Sequence, residues 1–190
     1  MIKNILQIPY VIDNATFHNS IKDELLSYID KSDSETKQQT DDYYSDNIYK
    51  LDWFKNTDFE RPWFKFFQPH FQNQIIKMIN ELGFDSYFLV ATWYQQYLNK
   101  STHGWHTHSD NYTGVYYLEL PEDTPKTQIV NPANQKDIIN LDIKEGDFVL
   151  FPSFIIHRAP INKSNNRKTI ISFDINIDKI KPDVLGVLND

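Results

Sequence analysis

The chain has 190 residues, 40% of them apolar and 15% aromatic, with a formal net charge of −7. That is the make-up of one globular domain with room for a sizeable core. Cysteine is absent, which excludes disulfides, a thiol nucleophile and cysteine-ligated zinc. The acidic balance disfavours nucleic acid as a partner, and no apolar run reaches the ~18 residues of a membrane helix.

The opening residues, MIKNILQIPYVIDN, lack the basic region, apolar stretch and cleavage site of a signal peptide. The expected compartment is therefore the cytoplasm, or a host's cytoplasm if the gene is viral. Around 14–31 the residues Phe17, Ile21, Leu25 and Ile29 recur every four positions, predicting a helix that Asp13 or Asn14 caps. The following SDSETKQQTDDYYSDN is polar and acidic and reads as an exposed loop. A second helix is expected from Trp63 or Pro69 to Leu82, with Gly83 at its C-terminal cap.

Beyond Gly83 the texture changes. SYFLVATWYQQYL, TGVYYLEL, TQIV, IINL, DFVLFP and KTIISFDINI are short β-branched and aromatic runs separated by Pro, Asn, Gly and Asp. Such strands without intervening helices predict an antiparallel barrel or sandwich. The expected architecture is α+β, mainly β. A single domain of residues 1–190 would have a mostly helical support over 1–83 and a jelly-roll core over 84–180.

Four of the six histidines are His103, His106, His108 and His157. On an extended strand, the spacing of His106, His108 and Asp110 puts their side chains on one face. A barrel can bring His157, beyond the Gly146-Asp147 turn and the Phe148–Phe151 strand, beside His106. Histidine pairs on strands arise by accident, and a lone buried histidine is usually core. The three donors together with a distant histidine favour a metal centre. Two imidazoles, one carboxylate and open positions make the facial triad of non-haem Fe(II) oxygenases.

Arg167 follows His157 by ten residues, with Thr169 two further on. An inward-pointing guanidinium calls for an anion, and its planar fork suits a carboxylate. The alternative is a solvated arginine paired with one of the many acids. Trp93, Trp105, Tyr112, Tyr116 and Phe154 are candidates for a pocket lining, although core packing is the plainer account of Trp93 and Phe154.

The succession of His106-x-His108, GVYYL, GDFVLFPSFIIH and RKTIISF resembles the Fe(II)- and 2-oxoglutarate-dependent oxygenases. The resemblance covers about residues 88–177. It is greatest to the bacterial and phage branch that reads W-H-x-H-P followed by S-G-V-Y-Y-L, with the prolyl hydroxylases more distant. It implies a double-stranded β-helix, iron as metal and 2-oxoglutarate as co-substrate, with ascorbate as a stimulant. An unidentified substrate would be hydroxylated as succinate and CO2 are released. His106 matches the first ligand and His157 the distal one. Arg167 and Thr169 match the co-substrate's carboxylate partners, and Tyr97 and Tyr117 fall where relatives place tyrosines beside it. The chain departs from the pattern at the second ligand. His108 stands at the usual carboxylate position, Asp110 two residues later, and Ser109 replaces the relatives' proline. The triad is His106, His108 and His157, with Asp110 accepting a hydrogen bond from a ligand, or else it includes Asp110. A cupin-type metalloprotein that does not use 2-oxoglutarate, or a non-catalytic jelly-roll module, is the competing reading. Substrate and oligomeric state have no signal in the sequence.

Overall fold

The computed structural model describes residues 8–40 and 45–181. Its helices are α1 (His18–Lys31) and α2 (Pro62–Glu81), with a 3-10 turn at Trp53–Lys55. The N-terminal strands are β1 (Val11–Asn14), β2 (Glu35–Thr40) and β3 (Ser45–Leu51). After α2 come β4 (Phe84–Tyr97), β5 (His103–His106), β6 (Tyr112–Glu119), β7 (Gln128–Val130) and β8 (Ile138–Asn140). β9 (Asp147–Pro152), β10 (His157–Ala159) and β11 (Lys168–Ile180) complete the barrel.

The strands form two sheets, one ordered β1-β9-β6-β11-β4-β3-β2 and the other β5-β10-β7-β8. Their pairings are antiparallel, so the fold is the expected mainly β double-stranded β-helix. The centre of the large sheet is buried on both faces. Its outer face packs Ile171, Phe173 and Ile175 of β11 against Phe64, Phe67 and Phe71 of α2 and Leu25 and Ile29 of α1. Its inner face, with Tyr97, Val115, Tyr117, Val149 and Ile170, meets Ile129, Ile155 and Ala159 of the small sheet's side. Gly114 of β6 sits where a Cβ would lie 2.1 Å from the Phe173 ring and 2.7 Å from the Val149 carbonyl oxygen. The GVYYL motif thus begins with the residue that leaves room for the Phe173 ring of the neighbouring strand β11.

The N-terminal third departs from the helical expectation. Most of the expected exposed loop forms the hairpin β2–β3, and residues 41–44 of it lie outside the described residues. β2 escapes the periodicity reading because it is an edge strand with both faces wet, so it has no apolar alternation to display. Helix α1 begins at His18, with Phe17 as N-cap and no side-chain cap. The expected caps are engaged elsewhere. Asn14 donates to Asp147 at 2.7 Å, and Asp13 accepts from Gln74 at 2.5 Å and Lys77 at 2.6 Å. Helix α2 starts at Pro62, a favoured first position, and Gly83 ends it with a φ of +88°.

Candidate metal centre

His106 closes β5 and His157 opens β10, and the two are direct cross-strand partners. His108 lies two residues past β5, held by its backbone N–H on Ser153 O at 3.0 Å. One ring nitrogen from each of His106, His108 and His157 lies within 4.8 Å of the others.

Each ring is oriented through Nδ1. His106 Nδ1 is 2.7 Å from Gly104 O, and His157 Nδ1 is 2.9 Å from Ile155 O. His108 Nδ1 lies 2.9 and 3.0 Å from the two carboxylate oxygens of Asp174. Oxygen acceptors at all three Nδ1 atoms fix the protons there and leave the Nε2 lone pairs free to converge. Burial pushes His106 down to about 4, and drives His157 well below the usual histidine range. Both rings are therefore neutral at neutral pH, the form that binds a metal.

The cluster opens on a cavity of about 620 Å³, the size of a small-molecule site. Trp93, His103, Gln95 and Asp174 line it, with Trp53 and Asp110 also on its wall. Trp93 stacks on His108 with centroids 5.8 Å apart, and Trp53 meets Trp93 edge-on at 4.5 Å. Trp53 follows Asp52, a buried carboxylate that accepts from Arg61 at 2.6 Å, Trp63 at 2.8 Å and the Tyr94 N–H at 2.8 Å. That buried network anchors the rim. His103 stacks on His106 at 3.9 Å, and its Nε2 stands 3.7 Å from Asp46.

Several expectations need correction. Asp110 joins neither the cluster nor its hydrogen bonds; it accepts from Asn176 at 3.1 Å, and Asp174 takes the place on His108. The i, i+2 alternation does not carry on to Asp110 because β5 ends at His106. Arg167 and Thr169 share a face, as expected, but it is not the inner one. Arg167 pairs with Glu119 through two bonds of 2.8 and 3.1 Å and with Asp30 at 3.0 Å, while Thr169 donates to the same Glu119. The inward cation is Lys168, one residue on. It is 1% exposed and lies beside the rings of Tyr97 and Tyr117 at 5.5 and 5.9 Å. Its Nζ donates to Pro125 O at 2.8 Å, and Tyr117 donates to Thr127 at 2.7 Å. Burial pushes Lys168 down to about 7. Of the aromatic candidates, Trp93 lines the cavity. Trp105 lies under Arg158 at 4.3 Å, Tyr112 and Tyr116 pack towards the helices, and Phe154 is 62% exposed.

The fold and the converging imidazoles define a jelly-roll protein with a candidate mononuclear metal centre. Residues 91–174 match the family described as putative 2OG-Fe(II) oxygenase. The resemblance read from the motifs is thus found independently over the barrel core, and that family implies Fe(II) and 2-oxoglutarate. No curated protein matches the chain. Among solved structures, a 2OG-Fe(II) oxygenase family oxidoreductase from Burkholderia pseudomallei is similar at 11% identity and a TM-score of 0.68, over 90% of this chain and 87% of that one. The viral collagen prolyl hydroxylase of Paramecium Bursaria Chlorella virus-1 is similar at 15% identity and 0.57, over 87% and 94%. A non-heme alpha ketoglutarate dependent epimerase from nogalamycin biosynthesis is similar at 10% identity and 0.68, over 96% and 82%.

The residues present fit both groups. Three imidazoles with tethered Nδ1 atoms suit a divalent metal. A buried lysine whose hydrogen-bond acceptor is a carbonyl suits the anion that a dicarboxylic acid brings.

Proposed function

We propose that the chain is an Fe(II)- and 2-oxoglutarate-dependent dioxygenase that hydroxylates a substrate bound in the Trp53–Trp93 cavity. The observation that carries this reading is the convergence of His106, His108 and His157, each ring held through Nδ1, with His106 and His108 on the wall of that cavity. Fe(II) with 2-oxoglutarate and dioxygen would supply the oxidising chemistry: one oxygen atom ends in succinate as CO2 is lost, and the other in the hydroxylated substrate. The three histidines would hold the metal. Lys168 holds the distal carboxylate, and Tyr97 and Tyr117 wall it off from water. Burial of that charge-assisted contact strengthens it. Trp93 covers His108, and Trp53 and Asp110 stand where the substrate enters.

Hydroxylation is the proposed outcome, since a C–H bond held in the cavity would stand beside His106 and His108. The epimerase from nogalamycin biosynthesis, with the same fold, ends its reaction differently. The test is anaerobic Fe(II) and 2-oxoglutarate binding, followed by succinate measurement in air with ascorbate, without and with candidate substrate pools. Iron and 2-oxoglutarate binding with succinate release supports the reading. An iron-loaded protein that does not bind 2-oxoglutarate overturns it.

A second reading has its own observation. Three histidines without a carboxylate ligand, together with the Glu119-occupied Arg167, fit a cupin-type metalloprotein that binds its substrate directly. In that case Lys168→Met leaves metal-dependent chemistry intact.

A further inference from the structure

We propose that Asp174 is the anionic member of the centre, acting through His108 as a positioning residue. The inference rests on the metal centre proposed above but not on its co-substrate. A centre of two imidazoles and one carboxylate carries one unit less positive charge than a centre of three neutral imidazoles. The chain has a histidine where a carboxylate ligand is expected, and a carboxylate directly behind that histidine.

Asp174 sits in β11, on the inward face shared with Lys168, Ile170 and Ser172. Its side chain is 5% exposed, and both oxygens face His108 Nδ1. A carboxylate among ISF and INI is costly to bury without a partner, and His108 Nδ1 is the donor the structure provides. His106 and His157 lean on neutral backbone carbonyls, so His108 alone of the three has a charged acceptor. A carboxylate there fixes the Nδ1–H tautomer and aims Nε2 at the metal. It also ties His108, which no strand holds, to the large sheet. The negative charge thus sits one hydrogen bond behind the metal instead of in its coordination sphere.

Fe(II) affinity is measured anaerobically for the wild type and for Asp174→Asn, Asp174→Glu and His108→Ala, with Co(II) absorption as a report of the ligand set. Asp174→Asn is expected to bind Fe(II) about 10–100-fold more weakly with the wild-type Co(II) band pattern kept. Asp174→Glu should recover part of the affinity, and His108→Ala should lose it. Unchanged affinity in Asp174→Asn, with wild-type binding intact, overturns the inference and leaves the metal centre standing. Asp174→Asn losing the metal while His108→Ala keeps it makes Asp174 a ligand and also overturns the inference. A wild type that binds no Fe(II) sinks the centre and Asp174 with it. Should Asp174→Asn fail to fold, histidine-labelled NMR of the wild type decides: a His108 proton on Nδ1 upholds the inference, and one on Nε2 ends it.

Discussion

Lys168 is a cation held out of water by Tyr97 of β4, Tyr117 of β6 and the Pro125 carbonyl. In the unfolded chain its ordinary value is 10.5, against about 7 in the fold. Below pH ~7 both states are protonated and the full burial penalty applies, a few kcal/mol at ~1.4 kcal/mol per unit of separation. Between pH ~7 and ~10.5 the unfolded state binds the proton that the folded state has released, so stability rises with pH through that window. Denaturant titrations of the ligand-free wild type and Lys168→Met should therefore converge as pH rises from 7 to 10. The Met variant should be the more stable at pH 6. The same variant should lose 2-oxoglutarate affinity by about ten- to a hundredfold, because a charge-assisted bond to a carboxylate is worth roughly 1.5–3 kcal/mol. Arg167→Met should leave that affinity within about twofold and lower stability instead, since Arg167 pairs with Glu119 and Asp30 on the helix-facing side. Calorimetry of 2-oxoglutarate binding checks both variants. A loss confined to Arg167→Met would return the role to the arginine.

At the scale of elements, the large sheet depends on how closely β6 fits between its neighbours β9 and β11. Gly114 is the contact point. Alanine there would drive its Cβ into the Phe173 ring and against the backbone carbonyl of Val149. The ring can shift but the carbonyl cannot move without opening the β6–β9 ladder, so the cost exceeds that of a side-chain clash alone. Gly114→Ala should destabilise the fold by at least about 1–3 kcal/mol, read as a lowered denaturation midpoint. A neutral Gly114→Ala would mean that β6 packs less tightly against β9 and β11 than the contacts indicate. Helix α2 supports the same layer from outside. Phe67 stacks on Tyr116 at 5.2 Å and Phe71 meets Phe173 edge-on at 4.9 Å. Phe71→Ala should cost about 3–5 kcal/mol while iron affinity of the folded fraction holds, because the helices touch the outer face and the histidines the inner one. Equilibrium unfolding with a parallel iron titration separates the two effects.

For the whole molecule, the metal would act as a staple between sheets. His106 and His157 belong to the small sheet, and His108 is tied to the large sheet through Asp174. A ligand that binds only the folded chain adds about 2.7 kcal/mol of stability at a hundredfold excess over its Kd. Anaerobic Fe(II) should accordingly raise the melting temperature by several degrees, and a chelator should reverse the rise. His106→Ala and His157→Ala should melt at the same temperature with and without iron. An iron-dependent rise that survives in both variants would place the metal elsewhere.

Periodicity and composition by themselves determined the strands after Gly83, the two helices and the identity of the histidines. Each rests on local physics: β-branched runs between turn residues, apolar residues on one helix face, and a donor type that metals require. The pairing of His106 with His157 was legible as well, since a barrel has few ways to return β10 to β5. Only the tertiary structure decided the rest. Parity along β11 was misleading because both faces are buried and the inward one carries Lys168, Ser172 and Asp174. The apolar alternation of Ile171, Phe173 and Ile175 thus marks the helix-facing side, and only the packing of the helices shows that Lys168, not Arg167, looks inward. Edge strand β2 was hidden because it buries neither face. Asp174 was visible as a carboxylate in an apolar strand, but its partner His108 lies 66 residues away, and only the closing of the two sheets brings them together.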